Sequence, residues 1–202
     1  MKFDVNEAFL KNVKSGYGTY ASAKFRIYDP HTKVTIGKFT CIAADTQIIV
    51  GGHHNKHFVT QYPFNDNELK ISFKDIPTSE IPYDCSCGDI EIGSDVWIGS
   101  NCLILSGAKI GNGSVIGAGS VIRRQIIDRV NECFRYEVPA YSIVVGNPAE
   151  IVSYRFDADT IRLLEKIAWW DWPLDKIQEA MPLLHSEGIE VFISRYSKGE
   201  NK

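Results

Sequence analysis

The sequence predicts a mainly β fold: a parallel β-helix of six-residue repeats, carrying a long inserted loop and a helical tail. Three observations predict it. Between Gly88 and Ile122, in "GDIEIGSDVWIGSNCLILSGAKIGNGSVIGAGSVI", isoleucines recur every six residues at Ile92, Ile98, Ile104, Ile110, Ile116 and Ile122, and glycine follows four of them at Gly93, Gly99, Gly111 and Gly117. The same register appears earlier at Ile36-Gly37, Ile42-Ala43 and Ile48-Ile49. Beyond Phe156 the apolar spacing becomes helical.

A six-residue period fits neither a helix nor a two-faced sheet, whereas a coil of three short strands joined by turns accounts for it. One aliphatic side chain per strand points inward. The small residue after it relieves crowding at the corner and is expected to permit backbone angles that other residues resist. Coils stack at roughly 4.8 Å, so an aliphatic column is buried that no single repeat buries alone. A β-sandwich would show turn signals at roughly 8–12-residue spacing instead of a fixed six.

Ile48 and Ile92 lie 44 residues apart, which is not a multiple of six, so an insertion of about 51–86 breaks the register. It opens with "GGHHNKHFVTQYPF" and holds three of the five histidines: His53, His54 and His57. As metal ligands, catalytic base or plain polar residues they remain open on spacing alone. After the hexads, "RRQIIDRVNECFRY" is charged and off-register, a second insertion of about 123–136 expected to project from the prism. "EVPAYSIVVGNPAEIV" then resumes a β-like run. Asp157 suits the N-cap of a helix with Ile161, Leu164, Ile167 and Ala168 on one face. Pro173 suits the first position of a second helix bearing Leu174, Ile177 and Met181. Between them, "WWDW" reads as a helical corner packed on the coil rather than an exposed platform. The domains are therefore a β-helix over 1–155 and a helical extension over 156–202.

Composition narrows the functional class. Of 202 residues, 44% are hydrophobic and 23% charged, as in ordinary globular proteins, and the formal net charge of -3 gives no basic footprint for nucleic acid. The N-terminal "MKFDVNEAFLKNVKSG" lacks the apolar core of a signal peptide and no run is long enough to span a bilayer, so a cytoplasmic protein is expected. The five cysteines (Cys41, Cys85, Cys87, Cys102, Cys133) are odd in number and irregularly spaced, which favours reduced thiols. Cys85-Ser-Cys87 is spaced too tightly for a zinc knuckle.

The hexads, "DVWIG" at Asp95–Gly99, "VVGNPA" at Val144–Ala149, "RFD" at Arg155–Asp157 and "WWDWP" at Trp169–Pro173 together resemble the hexapeptide-repeat xenobiotic acetyltransferases. Relatives of that family include chloramphenicol and streptogramin acetyltransferases and sugar O-acetyltransferases of surface polysaccharides. The resemblance covers about Ile36 to Ile177 and implies a left-handed coil assembled as a homotrimer, with acetyl-CoA as co-substrate between prisms. It implies His54 as general base, with His53 as fallback, taking the proton of an acceptor hydroxyl in a direct transfer. Trp97, Ser100 and Ala118 match positions along the cofactor groove. Arg123 and Arg124 match the pair that meets the nucleotide phosphates, with Arg135 as the alternative. Tyr17 and Tyr20 are candidates for lining the acceptor pocket, the acceptor being a sugar or polysaccharide precursor before an antibiotic. No metal is expected: the zinc sites of γ-class carbonic anhydrases on this fold draw histidines from successive coils, and no histidine lies between His57 and His185. A non-catalytic scaffold is the reading from another class.

Overall fold

The computed structural model describes residues 11–62, 64, 86–131, 133–135 and 137–197. Most of the loop beyond Phe64, with Cys85, therefore lies outside the described residues, as do the side chains of Cys133 and Arg135.

The hexads form a left-handed parallel β-helix. Its first coil is β1 (Val13–Ser15), β2 (Tyr20–Ala21) and β3 (Lys24–Ile27). The second is β4 (Val34–Ile36), β5 (Cys41–Ile42) and β6 (Gln47–Val50). The third is β7 (Ile90–Ile92), β8 (Trp97–Ile98) and β9 (Leu103–Leu105), and the fourth β10 (Lys109–Ile110), β11 (Val115–Ile116) and β12 (Val121–Ile122). Like strands stack in parallel register into three faces. We call them the first face (β1-β4-β7-β10), the second (β2-β5-β8-β11) and the third (β3-β6-β9-β12). Ile42, Ile48, Ile98, Ile104, Ile116 and Ile122 are fully buried and form the axial column. Intact coils advance by 18 residues, as between Ser94 and Asn112. Across the inserted loop the step is 56, as between Lys38 and Ser94.

Two roles expected of one residue are divided between two. Glycines directly after the inward isoleucines are not in the left-handed region; they allow coils to touch. A Cβ on Gly93 would lie 2.7 Å from Asn112 N, and one on Gly99 2.7 Å from Ala118 N. Positive φ falls two positions later, on Phe39, Asp45, Asp95, Asn101, Gly107, Gly113 and Gly119. Asp, Asn and Gly are the residues that tolerate this region best, and it turns each corner.

The segment expected to project does not simply do so. Its first strand, β13 (Ile126–Asp128), forms a hairpin with β14 (Cys133–Arg135) and pairs with β16 (Glu150–Tyr154), which runs antiparallel to β15 (Ser142–Val145). Because β15 pairs with β11, the insertion extends the second face into an eight-stranded sheet. Ile126 and Asp128 are buried, and the Asp128 carboxylate accepts hydrogen bonds from Val130 N, Asn131 N and Asn131 Nδ2.

The tail contains α1 (Ala158–Ile167), a 3-10 turn over Trp169–Asp171, α2 (Leu174–Leu184) and α3 (Ile189–Tyr196). Asp157 caps α1 by accepting from Thr160 N at 2.9 Å. Ala168 lies past the helix as its left-handed C-cap, and Ala180 rather than the exposed Met181 is buried in α2. The helices lie against the corner between the first and second faces. Trp169 stacks at 5.1 Å on Phe39, Lys38 pairs with Asp171 at 2.9 Å, and Asn112 donates to Glu165 at 3.2 Å.

Candidate active site

The histidine loop leaves the prism after β6 through two glycines that no other residue replaces readily. Gly51 and Gly52 both have φ of 79°, and a Cβ on Gly51 would lie 2.7 Å from Asp29 Cβ. Gly51 N donates to Ser106 Oγ at 2.6 Å, which anchors this end to the next coil. The chain then presents His53 half-buried and His54 exposed.

His54 Nδ1 makes a short contact with the backbone carbonyl of Gln61. A carbonyl only accepts, so Nδ1 carries the proton and Nε2 keeps its lone pair. Asn55 organises the turn between them: its side-chain oxygen accepts from His57 N at 3.0 Å, and its carbonyl accepts from Phe58 N and from Gln61 Nε2, each at 3.0 Å. His57 thus contributes a backbone bond to the turn that holds His54.

The far end of the loop returns to the same place. The Thr32 hydroxyl donates to the Asp29 carboxylate and lies 2.6 Å from Ser86 Oγ, which accepts in turn from Gly88 N. Burial pushes the Asp29 carboxyl up, but the Thr32 hydroxyl and the backbone N–H groups of His31 and Thr32 outweigh it and hold it below its ordinary value. One turn, Asp29–Thr32, therefore braces both feet of the loop. The sequence reading missed Asp29, Thr32 and Ser86; their only sequence signal is the Asx-turn spelling "DPHT".

The other candidates are spread around the prism. Trp97 is 55% exposed on the second face, stacked in register above Cys41, which sits above Tyr20. A hydrogen bond to Cys41, and then its charge, push the Tyr20 hydroxyl up. Tyr17 lies one corner away, edge-on to Phe39 at 5.8 Å. Ser100 and Ala118 share the corner between the second and third faces, Ser100 O accepting from Gly119 N at 2.9 Å. Arg123 and Arg124 follow β12 and are exposed at the third face's opposite edge, with Arg124 beside Cys87 and Gly88 where the loop returns. Within one chain the structure sets Trp97 and Tyr20 in one row of the second face with Cys41 between them, and Arg124 at the loop's foot; the full width of the third face separates Ser100 and Ala118 from the point where the histidine loop departs. Cys102 is buried, its thiol pushed up by that burial, which does not suit a nucleophile. Among the described residues no group of three His, Cys, Asp or Glu side chains is arranged to hold a metal ion.

The family described as "Bacterial transferase hexapeptide (six repeats)" matches residues 89–124. A chloramphenicol acetyltransferase of Escherichia coli is 37% identical over 171 residues, covering 83% of this chain and 73% of that protein. The chain belongs to the hexapeptide-repeat acetyltransferases. A probable macrolide acetyltransferase of Lysinibacillus sphaericus is likewise 37% identical, over 82% of this chain and 85% of its own length. Among solved structures, a hexapeptide-repeat acetyltransferase of Vibrio cholerae O1 biovar eltor, complexed with acetyl coenzyme A, is 25% identical with a TM-score of 0.51. The match takes in 73% of this chain and 62% of that one, so this acetyltransferase spans less than two thirds of that protein's length.

Proposed function

We propose that this acetyltransferase transfers acetyl from acetyl-CoA directly to a hydroxyl of a small molecule, with His54 as general base. The observation that carries the reading is the Nδ1 contact with the Gln61 carbonyl, which leaves Nε2 as the accepting nitrogen. Nε2 takes the acceptor's proton as its oxygen attacks the thioester carbon; the carbon–sulfur bond breaks, and the imidazolium returns the proton to the departing sulfur. No protein nucleophile is used.

The corner with Ser100 and Ala118 suits the pantetheine arm. Its residues are small, and a Cβ on Gly119 would meet nothing within 4 Å, so an extended chain is free to approach the backbone. Arg123 and Arg124 would face the nucleotide phosphates. We place each site between two prisms of a homotrimer, where the histidine loop of one chain reaches the corner of its neighbour. Absence of any helix long and apolar enough to cross a membrane, among the described residues, is compatible with action in the cytoplasm.

Exposed Tyr20, in the same row of the second face as Trp97 with Cys41 between them, and exposed Tyr17 at the adjoining corner support a sugar or polysaccharide precursor as acceptor, since aromatic faces stack on sugar rings. Identity to chloramphenicol and macrolide acetyltransferases favours an antibiotic hydroxyl as the second reading. The test is thiol release from acetyl-CoA across sugars, chloramphenicol and a macrolide, with wild type and His54→Ala in parallel. Acceptor-dependent release that falls about 100-fold or more in His54→Ala is expected. Release unchanged in the variant would remove His54 as base, and silence without retention on immobilised CoA would favour a non-catalytic scaffold.

A further inference from the structure

The helical tail covers the corner between the first and second faces without filling it. A cavity of about 380 Å³ remains between helices and prism, within the size range of small-molecule sites. It lies at a different corner from the histidine loop. Phe39, Phe156 and Trp169 supply aromatic walls, while Asp95 and Arg155 form its charged end. Arg155 Nη1 lies 3.5 Å from Asp95 Oδ2 and donates to Gly113 O at 2.6 Å, so the two charges answer each other.

Tyr141 completes the lining. It is 2% exposed, its ring lies over Gly113, and its hydroxyl has no hydrogen-bond partner among the described residues. A buried hydroxyl without a partner costs stability, and an occupant that brought an acceptor to it would recover that cost. Burial, and then the negative charges of Asp95 and Glu165, push the phenol up, so it stays protonated and able to donate.

We propose that this cavity binds a neutral aromatic small molecule bearing a carbonyl or ether oxygen, which accepts a hydrogen bond from Tyr141. Aromatic walls select the body and Tyr141 selects the acceptor; the inner charges Asp95 and Arg155 pair with each other, while Glu187 and His185 stand exposed at the rim, where solvent screens charge. The site is independent of His54 and stands whether or not His54 is the base.

The test uses three matched probes, 2-acetylnaphthalene, 2-ethylnaphthalene and 2-naphthoate, titrated calorimetrically into the full-length protein with and without saturating coenzyme A. Expected is saturable binding in which the ketone exceeds the hydrocarbon by about tenfold and the carboxylate is weakest. In Tyr141→Phe the ketone should fall to the level of the hydrocarbon. Tyr141→Phe removes only an unpartnered hydroxyl and is expected to fold; Leu183→Trp, which fills the cavity from α2, should abolish all binding and serves as the second variant. No saturable binding would mean that the cavity holds water only and would overturn the proposal. So would equal binding of ketone and hydrocarbon, indifference to both variants, or competition by coenzyme A, which would place the probes in the transfer site.

Discussion

A methyl group added at Gly111 would lie 2.5 Å from Ala140 N and 2.8 Å from Ala140 Cα, both backbone atoms of the next coil. At Gly119 the same methyl meets nothing within 4 Å, although φ is +74°. Gly111→Ala is therefore an overpacking change that forces coils apart, costing about 1–3 kcal/mol. Gly119→Ala bears only left-handed strain, about 1–2 kcal/mol. Gly119→Asn should recover part of that, as Asn101 does natively at φ 59°, whereas Gly111→Asn should be worse than Gly111→Ala; denaturant midpoints of the four variants would test this, and the opposite ordering would refute the division of roles. At Tyr141 the relevant variable is pH. Its hydroxyl is held protonated above the ordinary tyrosine value, chiefly by burial. The unfolded chain gives up that proton first once pH passes about 10, so stability is full below that value and declines above it. Tyr141→Phe has no such proton, and its melting temperature should fall less than that of wild type between about pH 9 and pH 11. Parallel declines would mean that Tyr141 ionises alike in both states.

At the scale of elements, the histidine loop depends on a turn in the coil beneath it. Thr32 is 5% exposed and links the carboxylate of Asp29, whose Cβ and backbone lie against Gly51, to Ser86 at the loop's return. Thr32→Val keeps the shape but removes the hydroxyl, leaving both feet unlinked. Its kcat should fall about tenfold or more through displacement of His54, with the circular dichroism spectrum and the KM for acetyl-CoA little changed. An unaltered kcat would show that the loop sets its own geometry. The second, third and fourth coils were legible because isoleucine at every sixth position states the period outright. The first coil was not: Ala21 pairs with Ile42 and Phe25 with Ile48, so its inward residues are four apart and neither is isoleucine. The tyrosines in that region thus sit on a coil rather than on a separate segment. The Asp157 cap of α1 was readable from one residue, whereas α3 lacks a side-chain cap and begins at Gly188. The proposed base His54 was singled out by its motif, whereas the carbonyl its Nδ1 meets belongs to Gln61, whose side chain carries no such signal.

At the scale of the whole molecule, the three faces differ in a way that bears on assembly. The first face is polar outside, with Thr35 exposed and Lys109 paired to Glu91 at 3.0 Å. On their third and fourth coils the second and third present Trp97, Val115, Leu103, Leu105 and Val121, while the third carries Lys24, Arg26 and Gln47 on its first two; the faces meet at the corner bearing Ser100 and Ala118. Apolar outer positions on the later coils of two adjoining faces favour a partner, and closed rotational symmetry satisfies both faces at once. If association uses that corner, the histidine loop and the small-residue groove of one site come from different chains. Two inactive proteins should then rescue each other. His54→Ala lacks the base, and Ala118→Trp blocks the groove from an exposed position, so each alone should be inactive. Refolded together in equal amounts, they would generate intact sites at about a quarter of the interfaces, where an unaltered histidine meets an unaltered groove. Activity near a quarter of wild type, with sedimentation confirming that each variant and the mixture keep the same assembly, is the expected outcome. Persistent inactivity of a mixture shown to exchange subunits would place histidine and groove in one chain, and the loop would then have to cross the third face of its own prism to reach the thioester.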